Sequence, residues 1–275
     1  MITIVVDSTC YLTRREAERL GAVMAPMTYS IAGRSYYTEN YEGENGEFAQ
    51  LLARNPEKLH TSQVTMSTFM SVFEDVLAAG NQALCLTISS RLSGTYGNAV
   101  MAARELDSQN VTVVDSMTTA AGLYLMVREA RRMIREGCDL RRVAQRLKDL
   151  RARVRTAFSV DDIAPLRRSG RLGGVKMSIS SILNIKPILR CYDGCVVAAG
   201  TARGRHEQLR ALLREMCPSE DGSVVVQHFL AEDTARATMD MLRADGYAVT
   251  LRGIGPVLGI HLGKGTVGIS WIVKE

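Results

Sequence analysis

The chain opens on an apolar, β-branched run, Ile2-Thr3-Ile4-Val5-Val6, that stops at Asp7-Ser8-Thr9. Such a run, short and bounded by polar residues, predicts a buried strand. The pattern recurs. Apolar positions at helical spacing predict a helix near 13–20 and another over 66–79, with Met66, Phe69, Met70, Phe73 and Leu77 on one face. Ala83-Leu84-Cys85-Leu86-Thr87-Ile88 and Val111 to Val114 read as further buried strands, the second ending at Asp115-Ser116. Helices are expected from about 95 to 107 and from about 118 to 136. Strand–loop–helix units in this order build a parallel sheet whose functional loops lie at the carboxyl ends of its strands.

Beyond about residue 153 the rhythm changes. Strands are expected near 154–160, 185–190, 195–200, 223–229, 247–253 and 267–273, with helices near 204–216 and 232–244. Asp193-Gly194 between two strand-like runs is a hairpin signal, so antiparallel pairing enters here. The expected fold is α/β in two domains. Residues 1–155 form a mostly parallel sheet with flanking helices, and residues 156–275 form an α/β domain with a mixed or antiparallel sheet. A length of 275 residues suits two modest cores.

Composition sharpens this only in places. Hydrophobic residues are 46% and charged residues 23%, the balance of a globular chain. Aromatics are only 5% while Met counts 13, which favours an adaptable aliphatic interior, either an ordinary core or the lining of a flexible apolar ligand's site. The net charge of +5 is concentrated between Arg128 and Arg155, where basic residues alternate with apolar ones as on a solvated helical face. No interleaved aromatics or zinc-finger spacing accompany it, so a nucleic-acid-binding regulator is the weaker reading. Six scattered cysteines without a CxxC pair, and a start that runs straight into a strand, predict a cytoplasmic protein with reduced thiols. No apolar run has the length of a transmembrane span.

Several motifs fail on context. Gly263-x-Gly265-x-x-Gly268 has dinucleotide-binding spacing but lies too near the C-terminus for the helix that would hold a pyrophosphate. Gly263-Lys264-Gly265-Thr266 lacks the upstream glycine of a phosphate-binding loop. His60, His206, His228 and His261 form no HxxxH-type pair, so neither a metal nor a cofactor is expected. Ser93 has no G-x-S-x-G elbow, which leaves a serine-dependent hydrolase or acyltransferase as the alternative function.

Four loops carry candidate chemistry. Ser89-Ser90-Arg91-Leu92-Ser93-Gly94-Thr95-Tyr96 follows a buried strand and opens a helix. There a hydroxyl, a glycine that permits close approach and a helix N-terminus together suit a carboxylate or phosphate. A plain N-cap by Ser93 explains the same residues. His60-Thr61-Ser62 offers two more hydroxyls, or a capping pair for the 66–79 helix. Ser169-Gly170-Arg171-Leu172-Gly173-Gly174 sets one Arg in a flexible loop, and Gly253 to His261 sets a lone His among glycines and apolar residues.

Taken in order, these pieces resemble the DegV family of bacterial lipid-binding proteins, which includes the fatty-acid-binding subunits of a two-component fatty acid kinase. The matching segments include Asp7-Ser8-Thr9, Thr61-Ser62-Gln63, Ser89 to Tyr96, Asp115-Ser116, Arg167 to Leu172, Leu183 to Leu189, Thr201 to Arg205 and Gly255 to His261. The resemblance implies a long-chain fatty acid such as palmitate, buried in an apolar cavity, with its carboxylate held by Thr61, Ser62, Ser93, Gly94 and His261. Arg171 and Arg203 would lie near the mouth, where a separate kinase or the acyl-phosphate product would need positive charge. It further implies a carrier with no catalytic residues of its own, in transient contact with membrane at most. Val64 and Pro165 depart from the family pattern, as do Ile260 and Lys264. Pro165 and Ile260 bear on the shape of the cavity and so on chain-length preference.

Overall fold

The computed structural model describes residues 1–55, 57–172 and 184–274. Gly173, Gly174 and Leu183, which belong to two of the motifs above, lie outside the described residues. The first sheet is parallel throughout, in the order β2 (Ala22–Ala25), β1 (Ile2–Asp7), β6 (Gln82–Thr87), β7 (Val111–Asp115). A second, antiparallel sheet of β3 (Thr28–Ile31), β4 (Ser35–Thr38) and β5 (Leu59–Ser62) runs β4-β3-β5. The third has six strands. Its order is β10 (Cys195–Arg203), β9 (Ile185–Tyr192), β8 (Val154–Ser159), β13 (Thr266–Ile272), β11 (Ser223–Phe229), β12 (Ala248–Gly253). It is mixed, because β11 and β12 pair in parallel while its other neighbours are antiparallel.

Two-residue alternation places β1 between two cores. Ile4 and Val6 join a cluster with α5 (Ala120–Arg135) and α6 (Leu140–Leu150), whereas Val5 joins another with α3 (Met66–Ala78) and α4 (Thr95–Glu105). α5 lies between the first and third sheets and is buried from Ala120 through Val127, which explains its lack of a polar face in that half. On the far side of the third sheet, α8 (Gly204–Arg214) and α9 (Glu232–Ala244) cover the face that carries Trp271 and Ile269. The remaining helices are α1 (Arg14–Leu20), α2 (Phe48–Arg54), α7 (Ala164–Ser169) and α10 (Pro256–Leu262). Among the described residues no helix is long and apolar enough to cross a membrane.

Most expected elements form within a residue or two of their expected ends. Asp193 and Gly194, both at positive φ (46° and 74°), make the two-residue turn that joins β9 to β10. The basic stretch from Arg128 to Arg155 is two helices and the start of β8. Gly137 (φ 82°) breaks it and Asp139 caps α6, whose Leu140, Val143, Leu147 and Leu150 are buried while its basic residues face outward. The second sheet was not expected. Its four-residue strands are too short, and too rich in Ser, Thr and Tyr, to show an apolar period.

Candidate functional site

A cavity of about 350 Å³ lies where the three sheets meet. That is within the ~300–1,000 Å³ of small-molecule sites. The carboxyl ends of the parallel strands supply part of its wall, as expected: Ile88, Leu92 and Ser93 follow β6, and Thr119 and Ala120 follow β7. β5 contributes Thr61 and Ser62, and α10 contributes Val257, Leu258, His261 and Leu262. From the third sheet come Thr156, Phe158, Cys191, Val196, Gln227 and Thr266.

Polar groups gather at one end. Thr61 Oγ1 lies 2.8 Å from His261 Nε2, a bond across 200 residues of sequence. Burial first, and then the Arg171 guanidinium, push the His261 pKa down from 6.5 to about 4, so the ring is neutral at neutral pH. Its Nδ1 is buried and has no partner among the described residues. Ser62 and Gln63 continue the wall beside Thr61, and Ser93 faces them from the next loop.

The local structure settles two readings the sequence left open. Thr61 and Ser62 end β5 and do not cap the following helix, whose cap is Thr65, accepting from Thr68 N–H at 3.1 Å. Their hydroxyls are therefore available to the cavity. Ser93 is not the N-cap of α4 either. Gly94 holds that position, while Ser93 Oγ contacts Thr95 Oγ1 at 2.9 Å and accepts from Thr95 N–H at 3.3 Å. Gly94 is required by a neighbour: a Cβ there would fall 2.2 Å from Gln63 Oε1. It stands behind the wall without lining it.

The loop is fixed on both sides. Asn98 Nδ2 donates to Val64 O at 2.7 Å, tying Gln63-Val64 to α4. Ser89 Oγ donates to Gly194 O at 2.8 Å, and Arg91 pairs with Asp193, so the loop is anchored to the β9–β10 hairpin. Exposed Arg171 donates from Nη1 to Ser169 O at 2.5 Å and from Nε to Leu92 O at 3.4 Å, which sets its charge at the polar end. Arg203 does not join this cluster. It is exposed at the end of β10 and is not among the lining residues.

Where β8 and β9 meet at the wall, two small side chains line the cavity. Thr156 Oγ1 bonds Ser270 Oγ at 2.8 Å, and Cys191 lies beside Thr156 across the β8–β9 pair. Thr156 and Cys191 also line a second cleft of about 570 Å³, at the point where β8 and β9 cease to pair. Gln227, which the sequence did not single out, turns its Oε1 to the Ala121 N–H at 2.8 Å, in the first turn of α5. Nothing in its local sequence marks it, since it stands inside an apolar strand.

Fold and site together define an α/β protein with a largely apolar cavity on which Thr61, Ser62, Ser93 and His261 converge. A family model described as "Uncharacterised protein, DegV family" matches residues 1–274. The chain belongs to the DegV family. It is similar to a DegV domain-containing protein of Halalkalibacterium halodurans, with 30% identity covering 100% of this chain and 99% of that one. Another from Deinococcus radiodurans is 31% identical over 98% and 97%. Among solved structures, a DegV family protein from Thermus thermophilus described for its fatty acid binding superposes with a TM-score of 0.88 at 30% identity, covering 99% of each chain. A DegV lipid-binding protein from Thermotoga maritima gives 0.88 at 26% identity, over 100% and 99%. Bacillus subtilis DegV, described as a fatty acid binding protein, gives 0.86 at 26%, over 99% of each chain.

Proposed function

We propose that this protein binds a long-chain fatty acid, with the carboxylate at Thr61, Ser62, Ser93 and His261 and the tail along the apolar cavity. The observation that carries this is the convergence of Thr61, Ser62, Ser93 and His261 on one largely apolar cavity, with Thr61 bonded to His261. The neutral imidazole has a particular use there. With Nε2–H donating to Thr61 Oγ1, the Thr61 hydroxyl proton is freed to donate to a carboxylate oxygen. Ser62 and Ser93 add hydroxyl donors, the α4 N-terminus adds a favourable dipole, and Arg171 adds a positive charge.

Energy comes mainly from the tail. At about 0.8 kcal/mol per methylene, a sixteen-carbon chain gains on the order of 12 kcal/mol gross. Lost freedom on association takes back at least ~4 kcal/mol of this. Hydrogen bonds to the carboxylate contribute about 1.5–3 kcal/mol each, largely offset by its desolvation, so their main effect is orientation. The polar end, with exposed Arg171 beside it, is the end from which a partner reaches the carboxylate.

The protein then presents this carboxylate to a separate cytoplasmic kinase and carries the acyl-phosphate, with Arg203 as a contact for that partner. We take residues 1–155 and 156–275 as two domains with the lipid between them, in keeping with the change of sheet near residue 155. A serine nucleophile is the poorer reading, because Ser93 is bonded to Thr95 and His261 to Thr61, with no acid–base pair joining them. Displacement of cis-parinaric acid by palmitate and oleate tests the binding; no displacement and no parinaric binding by the delipidated protein would sink it. For the kinase step, loaded protein is incubated with ATP and cell extract, and acyl-phosphate is trapped with hydroxylamine. Hydroxamate no higher than with delipidated protein refutes that step alone.

A further inference from the structure

Glu39 is wholly buried in the chain that follows β4, and its carboxylate and backbone N–H together bind three other parts of the fold. Oε2 accepts from Ser8 Oγ at 2.6 Å, at the end of β1. Oε1 accepts from Val257 N–H at 2.7 Å, in the first turn of α10. The Glu39 backbone N–H donates to Met27 O at 2.9 Å, just ahead of β3, and Ser8 Oγ in turn accepts from Met27 N–H at 3.0 Å. Beside it, Tyr11 Oη accepts from Leu258 N–H at 3.0 Å. Two of the N–H groups that open α10 thus end on side chains of this cluster, where otherwise they would have no partner. The approach is close: a Cβ on Gly255 would fall 2.6 Å from Tyr11 Cε1 and 2.9 Å from Glu39 Oε1.

α10 is seven residues long and holds much of the cavity wall. Val257 and Leu258, whose N–H groups are held here, line the cavity themselves, and His261 follows one turn later. We infer that Glu39 is the positioning residue of the binding site: it sets α10 against the β1 turn and the small antiparallel sheet, and so sets the His261–Thr61 contact. Only the effect on ligand affinity rests on the fatty-acid reading.

The anchor is charged in part. Facing Glu39 are Asp7 and Tyr11 from β1 and its turn, Tyr29 from β3, and His261 farther along α10. The nearby Arg252 of β12 is bound instead to Glu16, Glu42 and the Tyr11 carbonyl. No cation pairs with Glu39 among the described residues. Burial, with the Asp7 charge as a lesser cause, pushes its pKa up to about 7, so both forms are populated at neutral pH. The ionised carboxylate accepts the Val257 N–H as a charge-assisted bond but carries the cost of a buried, unpaired charge, and protonation removes that cost.

Amide hydrogen exchange in the ligand-free protein, followed by NMR, tests the inference with Glu39→Ala and the isosteric Glu39→Gln. In Glu39→Ala, protection at Val257 and Leu258 is expected to fall about tenfold or more while β11 amides keep theirs. An opening that exposes Glu39 returns its pKa from about 7 toward 4.5 and so releases a proton; in the wild type the same two amides therefore gain protection, after correction for intrinsic exchange, from about pH 8 to about pH 6, and in Glu39→Gln they show no such change. The affinity for cis-parinaric acid falls about tenfold in Glu39→Ala. Unchanged protection at Val257 and Leu258 in both variants, or a Glu39→Gln profile that follows the wild type, overturns the inference. If exchange changes as stated but even the wild type fails to bind parinaric acid, the positioning role stands and the fatty-acid reading falls.

Discussion

Thr61→Val removes one hydroxyl from the polar end at nearly constant volume. In the ligand-free protein it breaks the 2.8 Å contact to His261 Nε2 and leaves a buried imidazole whose Nδ1 already lacks a partner. A lost hydrogen bond costs about 0.5–1.5 kcal/mol, and an orphaned buried polar atom about 1–3 kcal/mol, so the free protein should lose about 1–3 kcal/mol of stability. In the complex, the carboxylate also loses its Thr61 donor, a bond to a charged group of about 1.5–3 kcal/mol. At 1.4 kcal/mol per factor of ten, palmitate affinity should fall on the order of tenfold to a hundredfold. The methyl ester has no charge to satisfy, so its affinity should fall by much less. Displacement of cis-parinaric acid by palmitate and by methyl palmitate gives both values. Equal losses for acid and ester would refute the carboxylate role of Thr61, because a mere change in cavity shape weakens both alike.

Three further outcomes follow from the same geometry. His261 titrates near 4 when folded and near 6.5 when free, so the unfolded chain binds the proton first and stability falls as pH drops from about 6.5 to about 4, by at most about 3 kcal/mol. Urea unfolding of His261→Gln should show that part of the slope missing; an unchanged slope contradicts the buried neutral ring. Gly94→Ala must displace Gln63, whose Oε1 would lie 2.2 Å from the new methyl, and should cost about 1–3 kcal/mol in chemical denaturation; an unshifted midpoint contradicts the close contact. Cys191→Trp fills the wall where β8 and β9 meet and should shift the bound acids toward shorter chains. Two excluded methylenes, about 1.6 kcal/mol, lower the preference for the longer acid by about fifteenfold, and an unaltered chain-length profile places the tail elsewhere.

How much of this was legible in the sequence depended on how each element is stabilised. β1 and β6, and the hairpin at Asp193-Gly194, announce themselves because burial and turn chemistry act on adjacent residues. The β3–β4–β5 sheet stayed hidden because strands of four residues gain their stability from long-range pairing. α10 was obscured by its glycines, which are there because Tyr11 and Phe229 press against the backbone at Gly255 and Gly259. At the site, Thr61, Ser62, Ser93 and His261 do converge on one cavity, and Arg171 stands beside them. Nothing local to either residue joins Thr61 to His261, since the contact spans 200 residues. Glu39 and Gln227 were invisible for the opposite reason: each is a single polar residue that accepts from a backbone N–H on a distant element.

The most direct test of the account is mass spectrometry of lipid extracted from the purified, freshly denatured protein, compared with a blank carried through the same columns. The cavity predicts a long-chain fatty acid at near one per chain, replaced by palmitate when the protein is first incubated with it. Recovery of no fatty acid, together with no uptake of added palmitate or oleate, would contradict the central claim.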